Sequence, residues 1–209
     1  MKIISKSNLT LLEFKSTIDK TRNHKCAFFD RDGVLIKDTE YINEIKDVIF
    51  INEAFQVIKA LKQMGYLIGI VTNQSGIGRG YFSQDRFIDT QNFISDRFQK
   101  ENAEIDFVIA CPYHKDALPP YNNESDYRKP NPGMILEICK HLKVDKKKSF
   151  MVGDSYTDVQ CSLRAKLGKS FLFYNKEIHR EAKKLVYNKS KINTYKEIKS
   201  LHGIIDELG

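Results

Sequence analysis

Residues 26–34 read CAFFDRDGV, and this stretch decides the class of fold. Its first four residues are apolar and two are aromatic, which is typical of a strand that is covered on both faces. Asp30 and Asp32 follow directly, with Gly33 behind them. A buried strand that ends in two carboxylates and a glycine predicts polar chemistry at the carboxyl edge of a sheet.

Outward from this stretch, similar apolar runs alternate with segments of helical spacing. The alternation predicts an α/β fold with three layers, a Rossmann-like parallel central sheet and right-handed crossovers. The predicted strands are residues 26–30, 67–73, 107–111, 149–153 and 170–174, and the predicted helices are residues 53–64, 83–100, 132–141 and 156–166.

The two ends of the chain carry no recognisable site. Residues 1–24 are predicted as a helical extension, with Asn8 as its N-cap and Leu11, Leu12, Phe14 and Ile18 at helical spacing. Residues 25–209 are predicted as one domain. Within it, residues 176–209 are expected to form a helix, a short strand and a final helix.

Composition excludes some classes of protein and leaves others open. The chain has 209 residues, 41% of them hydrophobic, which suits a folded domain. No apolar run approaches the ~20 residues that cross a bilayer, and the N-terminus does not resemble a secretory signal. The four cysteines form no C-x-x-C pair and are expected to be reduced thiols in a cytoplasmic protein. A net charge of +7 fits either nucleic acid or small anionic substrates.

Polar residues stand at the ends of several predicted strands. Asp30 and Asp32 can bind a hard cation, attack phosphorus or protonate a leaving oxygen, although a plain turn has the same composition. Thr72 and the glycine-rich residues 73–80 can hold a phosphate, or form an ordinary polar loop. Lys129 precedes Pro130, and by itself it could equally be an ordinary surface lysine. Asp154 follows the fourth predicted strand, and by itself it could equally be the N-cap of a helix. Their occurrence in this order on one sheet edge favours a phosphoryl-transfer site.

These residues resemble the motifs of the haloacid dehalogenase (HAD) superfamily of phosphotransferases. Residues 30–34 are similar to its first motif, Thr72 to the second, Lys129 to the third and residues 153–158 to the fourth. The resemblance covers residues 26–174. It implies that residues 25–209 form a HAD-like phosphatase domain, and the short insert before residue 53 implies a minimal cap.

The resemblance implies a role for each motif residue. Asp30 would attack phosphorus to give an aspartyl-phosphate, and Asp32 would act as acid and then as base. Thr72 and Lys129 would bind the phosphoryl oxygens. Mg²⁺ would be held by Asp30, the backbone carbonyl of Asp32, and Asp154.

Two longer stretches resemble one subfamily in particular. Residues 72–80 (TNQSGIGRG) and 128–134 (RKPNPGM) are similar to the D-glycero-D-manno-heptose 1,7-bisphosphate 7-phosphatases, with the histidinol-phosphatases as sister family. The implied reaction is removal of the 7-phosphate, with histidinol-phosphate phosphatase and polynucleotide 3′-phosphatase as alternatives. The implied substrate-binding residues are Asp38, Tyr41, Asn73, Gln74, Ser75, Arg79 and Arg128.

The sequence departs from this subfamily at a zinc-binding loop. The family pattern is Cys-x-His followed by Cys-x-Cys, whereas this chain has Cys111 and Tyr113, then Ser125 and Tyr127. A structural zinc site needs four nitrogen or sulfur ligands, so no zinc is expected. The expected partner is a small sugar phosphate, without nucleic acid or membrane, and a monomer is favoured.

Overall fold

The computed structural model describes residues 2–6, 9–14, 18–42, 44–174 and 195–209. The described residues build one sheet of eight strands, in the spatial order β1-β2-β5-β4-β3-β6-β7-β8. The strands are β1 (Lys2–Lys6), β2 (Leu9–Glu13), β3 (Cys26–Phe29), β4 (Leu67–Asn73), β5 (Phe107–Cys111), β6 (Phe150–Gly153), β7 (Lys169–Phe173) and β8 (Lys196–Ile198).

The centre of the sheet is parallel, as predicted. Strand β3 pairs in parallel with β4 and with β6, and the parallel pairing continues to β5 on one side and to β7 and β8 on the other. The five predicted strands match the observed ones to within one residue at each end. The carboxyl ends of β3, β4 and β6 therefore meet at one edge.

Helices cover the sheet on both faces, which confirms the three-layer fold. Alternate residues of β3 show this directly, because Ala27 and Phe29 pack on one face while Cys26 and Phe28 pack on the other. The first face meets α1, α3 and α6, and the second meets α4 and α5. The helices are α1 (Glu53–Gln63), α2 (Ser75–Gly78), α3 (Gln84–Lys100), α4 (Gly133–His141), α5 (Tyr156–Ala165) and α6 (Gly203–Asp206).

The N-terminal helix predicted from residues 1–24 is wrong. Strands β1 and β2 pair antiparallel with each other, and β2 pairs antiparallel with β5, so that Leu12 lies opposite Val108. Without β2, strand β5 would expose a row of unpaired N–H and C=O groups at the edge of the sheet. Local helical spacing therefore gave way to the hydrogen bonds that β5 offers, and this segment belongs to the central sheet.

Other expectations about the ends of elements are met. The hydroxyl of Ser83 accepts a hydrogen bond from the Arg86 backbone N–H at 3.1 Å, which caps α3 as expected. At the C-terminus, β8 and α6 match the predicted short strand and final helix. The helix predicted ahead of them falls on residues outside the described part of the chain.

The connection from β3 to α1 leaves the carboxyl edge of the sheet open. Its described residues contain one short 3₁₀ helix, Ile45–Asp47, and no further helix or strand element that could cover the edge. In the described part of the chain, no helix is both long enough and apolar enough to span a bilayer.

Candidate active site

A cleft of about 480 Å³ opens at the carboxyl edge of the central strands. Ten of the twelve residues named from sequence line it, contributed by the ends of β3 and β4 and by the loop before α4. Arg79 and Asp154 are not among the lining residues, although both lie next to residues that are. The lining residues are Asp30, Arg31, Asp32, Asp38, Glu40, Tyr41, Thr72, Asn73, Gln74, Ser75, Gly76, Arg128, Lys129, Ser155 and Thr157.

Lys129 is buried at the base of this cleft. Its ammonium nitrogen lies 2.9 Å from Oδ2 of Asp30 and 2.7 Å from Oδ1 of Asp158, and it donates to the backbone oxygen of Val71 at 3.0 Å. Burial lowers the pKa of Lys129, but the carboxylates of Asp158 and Asp30 outweigh this, so its pKa is raised. The lysine is therefore a fixed positive charge.

Asp30 is placed by the sheet itself. Its backbone N–H donates to the Val152 oxygen at 2.9 Å, and its Oδ1 accepts from the Arg31 N–H at 2.7 Å. Burial raises the pKa of Asp30 to about 7; Lys129 opposes this, and the nearby carboxylates of Asp158, Asp154 and Asp32 add to it. A second positive charge at this position would stabilise the ionised carboxylate.

Three carboxylates converge where that charge is needed. Oxygens of Asp30, Asp154 and Asp158 lie within 4.8 Å of one another. Gly33 makes room for them, because a Cβ at this position would lie 2.2 Å from Oδ2 of Asp154. Closely spaced carboxylate oxygens are the ligands that Mg²⁺ prefers, so the residues present fit this ion.

Asp158 also anchors the start of α5. Its Oδ2 accepts from the backbone N–H of Ser155 at 3.1 Å and from the Ser155 hydroxyl at 2.6 Å, while its Oδ1 faces Lys129. Ser155, not Asp154, is the N-cap residue of this helix. The capping alternative for Asp154 is therefore wrong.

Asp32 is held apart from the three carboxylates by a buried guanidinium. Arg31, which is 1% exposed, donates from Nε and Nη2 to both oxygens of Asp32 at 3.0–3.2 Å. The Gln74 amide nitrogen donates to Oδ2 of Asp32 at 2.9 Å and to the Thr72 hydroxyl at 2.8 Å. Gln74, expected to bind substrate, is thus part of a buried network beneath the cleft.

The side chain of Asn73 hydrogen-bonds to the protein backbone. Its amide nitrogen donates to the Lys129 oxygen at 3.1 Å, and its oxygen accepts from the Lys129 N–H at 3.0 Å. This reciprocal pair joins the end of β4 to the loop that carries the lysine. The amide therefore fixes the position of Lys129, a role that we had not expected from sequence.

Arginines and aromatic rings form one rim of the cleft. Arg79 donates to the Tyr41 hydroxyl at 3.2 Å and lies 2.9 Å from Nδ1 of His114. Burial, Arg128 and Arg79 lower the pKa of His114, which favours the neutral ring beside Arg79. Arg128 donates to the Tyr113 backbone oxygen at 3.0 Å. Arg79 thus connects the segment around Tyr41 to the loop after β5.

The loop that resembles a zinc site is held by hydrogen bonds and ring packing. Burial raises the pKa of the Cys111 thiol to about 11, and hydrogen bonds to the Tyr113 backbone and the Ser125 side chain partly offset this effect. The rings of Tyr113 and Tyr121 pack edge to face at 5.6 Å. His114 turns toward Arg79. Because Cys111 is the one sulfur ligand among the four positions of the family pattern, these residues do not fit a structural zinc ion.

Sequence reasoning missed Arg31. It lies between the two predicted catalytic aspartates, and no pattern in the sequence shows that its side chain folds inward. The residue is fully buried, its guanidinium 5.6 Å from the centre of the Phe87 ring on α3.

Comparison with known proteins places this geometry in a family. The family model described as polynucleotide kinase 3 phosphatase matches residues 25–180. The D-glycero-beta-D-manno-heptose-1,7-bisphosphate 7-phosphatase of Haemophilus influenzae is 38% identical over 149 residues, which are 71% of this chain and 81% of that protein. The chain belongs to the HAD superfamily of phosphatases, in the heptose-bisphosphate phosphatase family.

Other members of the family extend the comparison. The D-glycero-alpha-D-manno-heptose-1,7-bisphosphate 7-phosphatase of Burkholderia mallei is 39% identical over 160 residues, covering 76% of this chain and 85% of that protein. The crystal structure of the D,D-heptose 1,7-bisphosphate phosphatase of B. bronchiseptica, complexed with magnesium and phosphate, has a TM-score of 0.75 at 24% identity. The matched region covers 88% of this chain and 97% of that structure's chain. This match supports the HAD phosphatase fold.

Proposed function

We propose that this chain hydrolyses a phosphomonoester, with Mg²⁺, and that its substrate is a D-glycero-D-manno-heptose 1,7-bisphosphate from which it removes the 7-phosphate. The contact that carries the proposal is the ion pair between Lys129 and Asp30 at the base of an open cleft, 2.9 Å from nitrogen to oxygen. A carboxylate that lines the cleft beside a fixed cation can attack phosphorus while the cation binds the phosphoryl oxygens.

The reaction divides into two displacements. In the first, an oxygen of Asp30 attacks phosphorus, the bond to the sugar oxygen breaks, and Asp32 gives that oxygen a proton. In the second, Asp32 takes a proton from water, the water oxygen attacks phosphorus, and the Asp30 carboxylate is released with inorganic phosphate. Two steps with a good intermediate leaving group replace one difficult step.

The groups around Asp30 stabilise the charge on the transferred phosphoryl group. Lys129 supplies a positive charge that needs no reorganisation, and the hydroxyl of Thr72 supplies a neutral donor. Mg²⁺ held by Asp30, Asp154 and the backbone carbonyl of Asp32 would offset further negative charge on the phosphoryl oxygens.

The heptose substrate is proposed from relatives at 38% and 39% identity whose names specify it. One is named for the beta anomer and the other for the alpha anomer, so similarity alone favours neither. Asp38, Tyr41 and Ser75 line the cleft and would contact the sugar, while Arg128 would bind its hydroxyls or second phosphate. Arg79 would act at the rim.

A second candidate is a polynucleotide 3′-phosphatase. The matching family model carries that description, and the net charge of +7 would attract nucleic acid. The described part of the cleft favours a small substrate, since its volume is about 480 Å³. We therefore propose a sugar phosphate as the partner, without nucleic acid or membrane, and a monomeric enzyme of the cytoplasm.

The test is a comparison of kcat/KM with Mg²⁺ for four compounds: both anomers of the heptose 1,7-bisphosphate, histidinol phosphate and a 3′-phosphorylated oligonucleotide. We expect one heptose anomer to exceed histidinol phosphate and the oligonucleotide by at least about 10²-fold, which is about 2.7 kcal/mol. A higher value for histidinol phosphate or the oligonucleotide would assign the site to that substrate instead. Metal analysis of the purified protein should find no stoichiometric zinc.

A further inference from the structure

The side chain between the two proposed catalytic aspartates is the largest that the described core buries completely. Arg31 is 1% exposed, and its Nε and Nη2 form a fork on both oxygens of Asp32. The same Nη2 lies 3.2 Å from the Gln74 side-chain oxygen, and the ring of Phe87 lies beside the guanidinium. A buried arginine of this kind pairs with carboxylates through two parallel bonds that fix orientation as well as charge.

The donors around Asp32 leave one oxygen available. An ionised carboxylate offers about four acceptor positions, two on each oxygen. Nε and Nη2 of the Arg31 fork each lie 3.0–3.2 Å from both oxygens, and the Gln74 amide adds a donor on Oδ2 alone at 2.9 Å. Oδ1 therefore has one donor fewer than Oδ2. Because Asp32 is 23% exposed and lines the cleft, Oδ1 is the oxygen that can meet a ligand.

The pair is costly to break. Separating Asp32 from Arg31 would leave buried guanidinium N–H groups without their acceptor, which is strongly unfavourable for a charged donor. A protonated Asp32 that stays in the fork still accepts from Arg31, whereas rotation away from the fork would lose these bonds in every cycle. Asp32 should therefore stay in the fork while Oδ1 exchanges a proton.

We propose that Arg31, together with Gln74, is a positioning residue that fixes Asp32 so that Oδ1 delivers the proton to the leaving oxygen. This inference rests on the proposed phosphatase function and adds a residue to it. When the phosphorus–oxygen bond breaks, the proton on Oδ1 goes to the sugar oxygen, and Asp32 remains as a carboxylate in the fork. The attacking water later returns a proton to the same oxygen.

Two leaving groups separate this role from a purely structural one. A sugar alkoxide needs a proton to leave, whereas p-nitrophenolate is stable enough to leave without one. The parameter kcat/KM reports only steps up to the release of the leaving group, so the later hydrolysis of the aspartyl-phosphate does not enter. We expect Arg31→Lys and Arg31→Met to lower kcat/KM for the sugar phosphate by about 10²-fold, within the range of general acid catalysis. For p-nitrophenyl phosphate we expect a decrease of less than about fivefold.

A double-variant cycle tests whether Arg31 acts through Asp32. In an Asp32→Asn background no proton can be delivered, so adding Arg31→Met should change kcat/KM for the sugar phosphate by less than about threefold. Equal losses on both leaving groups, or additive losses in the cycle, would overturn the proposal.

Folding is checked in parallel, because Arg31→Met leaves Asp32 without its cation. Arg31→Lys keeps a buried positive charge but lacks the planar fork, and Gln74→Met removes the other donor without removing charge. Gln74→Met should show the same selective loss on the sugar phosphate, at roughly tenfold. An unchanged ratio of the two substrates in folded Arg31→Lys and Gln74→Met would also contradict the proposal. If wild-type enzyme hydrolyses neither substrate, the proposed function fails first, which distinguishes the two outcomes.

Discussion

Oδ2 of Asp30 and the ammonium nitrogen of Lys129 lie 2.9 Å apart, although Asp30 follows β3 and Lys129 stands in the loop before α4. Lys129 is shared with Asp158 at 2.7 Å, so one buried cation compensates two carboxylates. This arrangement leaves the carboxylate cluster with net negative charge, which a divalent cation can offset.

Asp30→Asn should reduce turnover by at least about 10³-fold, since an amide oxygen cannot form the covalent intermediate. Wild-type protein incubated with labelled substrate and quenched in acid should carry a hydroxylamine-sensitive phosphoryl label, and the variant should carry none. Asp89→Asn, on the exposed face of α3, is the matched control and should keep both label and rate. Labelling of the Asp30→Asn protein would place the nucleophile elsewhere.

Lys129→Met should destabilise the fold as well as the transition state. Removing the cation leaves Asp30 and Asp158 buried without compensation, which is expected to cost about 3–5 kcal/mol in urea unfolding without metal. Lys147→Met, at an exposed position, is the control and should change the free energy of unfolding by less than about 0.5 kcal/mol. Adding Asp158→Asn to Lys129→Met should recover part of the loss; a further decrease would argue against charge compensation.

Gly33→Ala should weaken magnesium binding through Asp154. The new Cβ would lie 2.2 Å from Oδ2 of that carboxylate, at a backbone φ of +79°. The Mg²⁺ concentration for half-maximal activity should rise by about 10–100-fold, the range seen when metal ligands lose their support. Gly80→Ala is a matched control, because its φ is +75° but its new Cβ would meet only Leu118, at 3.4 Å. Equal shifts in both variants would attribute the effect to backbone strain alone.

The contribution of Glu13 to stability should depend on pH. Burial raises the pKa of this β2 carboxyl, but hydrogen bonds from His141 and Lys20 outweigh it, so its pKa lies below the ordinary 4.5. A lowered folded-state pKa stabilises the protein above pH 4.5, and this stabilisation is lost as pH falls through the folded-state pKa. Glu13→Gln should therefore cost about 1–3 kcal/mol at neutral pH.

The measurement is urea unfolding of wild type and Glu13→Gln at neutral pH and at about pH 3.5, below the ordinary pKa that the carboxyl has in the unfolded chain. The difference between the two proteins should shrink at the lower pH. Glu104→Gln, an exposed position, should show little difference at either pH. If the difference in free energy of unfolding between wild type and Glu13→Gln grew as the pH fell, the predicted pH dependence would be wrong.

Much of the site was predictable because its chemistry lies at the ends of strands. The apolar run before Asp30 and the run before Thr72 are local signals, and parallel strands in one sheet necessarily bring their carboxyl ends to one edge. The N-terminal segment was not predictable in this way. Its residues fit helical spacing, and only the free edge of β5 made the strand β2 more favourable.

The sequence by itself determined the parallel α/β fold and the set of groups available for phosphoryl transfer, because both follow from local hydrophobic pattern and residue type. Only the tertiary structure decided how those groups divide their work. Gln74 and Arg31 turn inward to Asp32, and Asn73 holds the backbone of Lys129, 56 residues away. Such contacts depend on which surfaces pack against each other in the folded chain. A buried charge or amide is costly unless it is hydrogen-bonded, and its available partners exist only once those surfaces have come together.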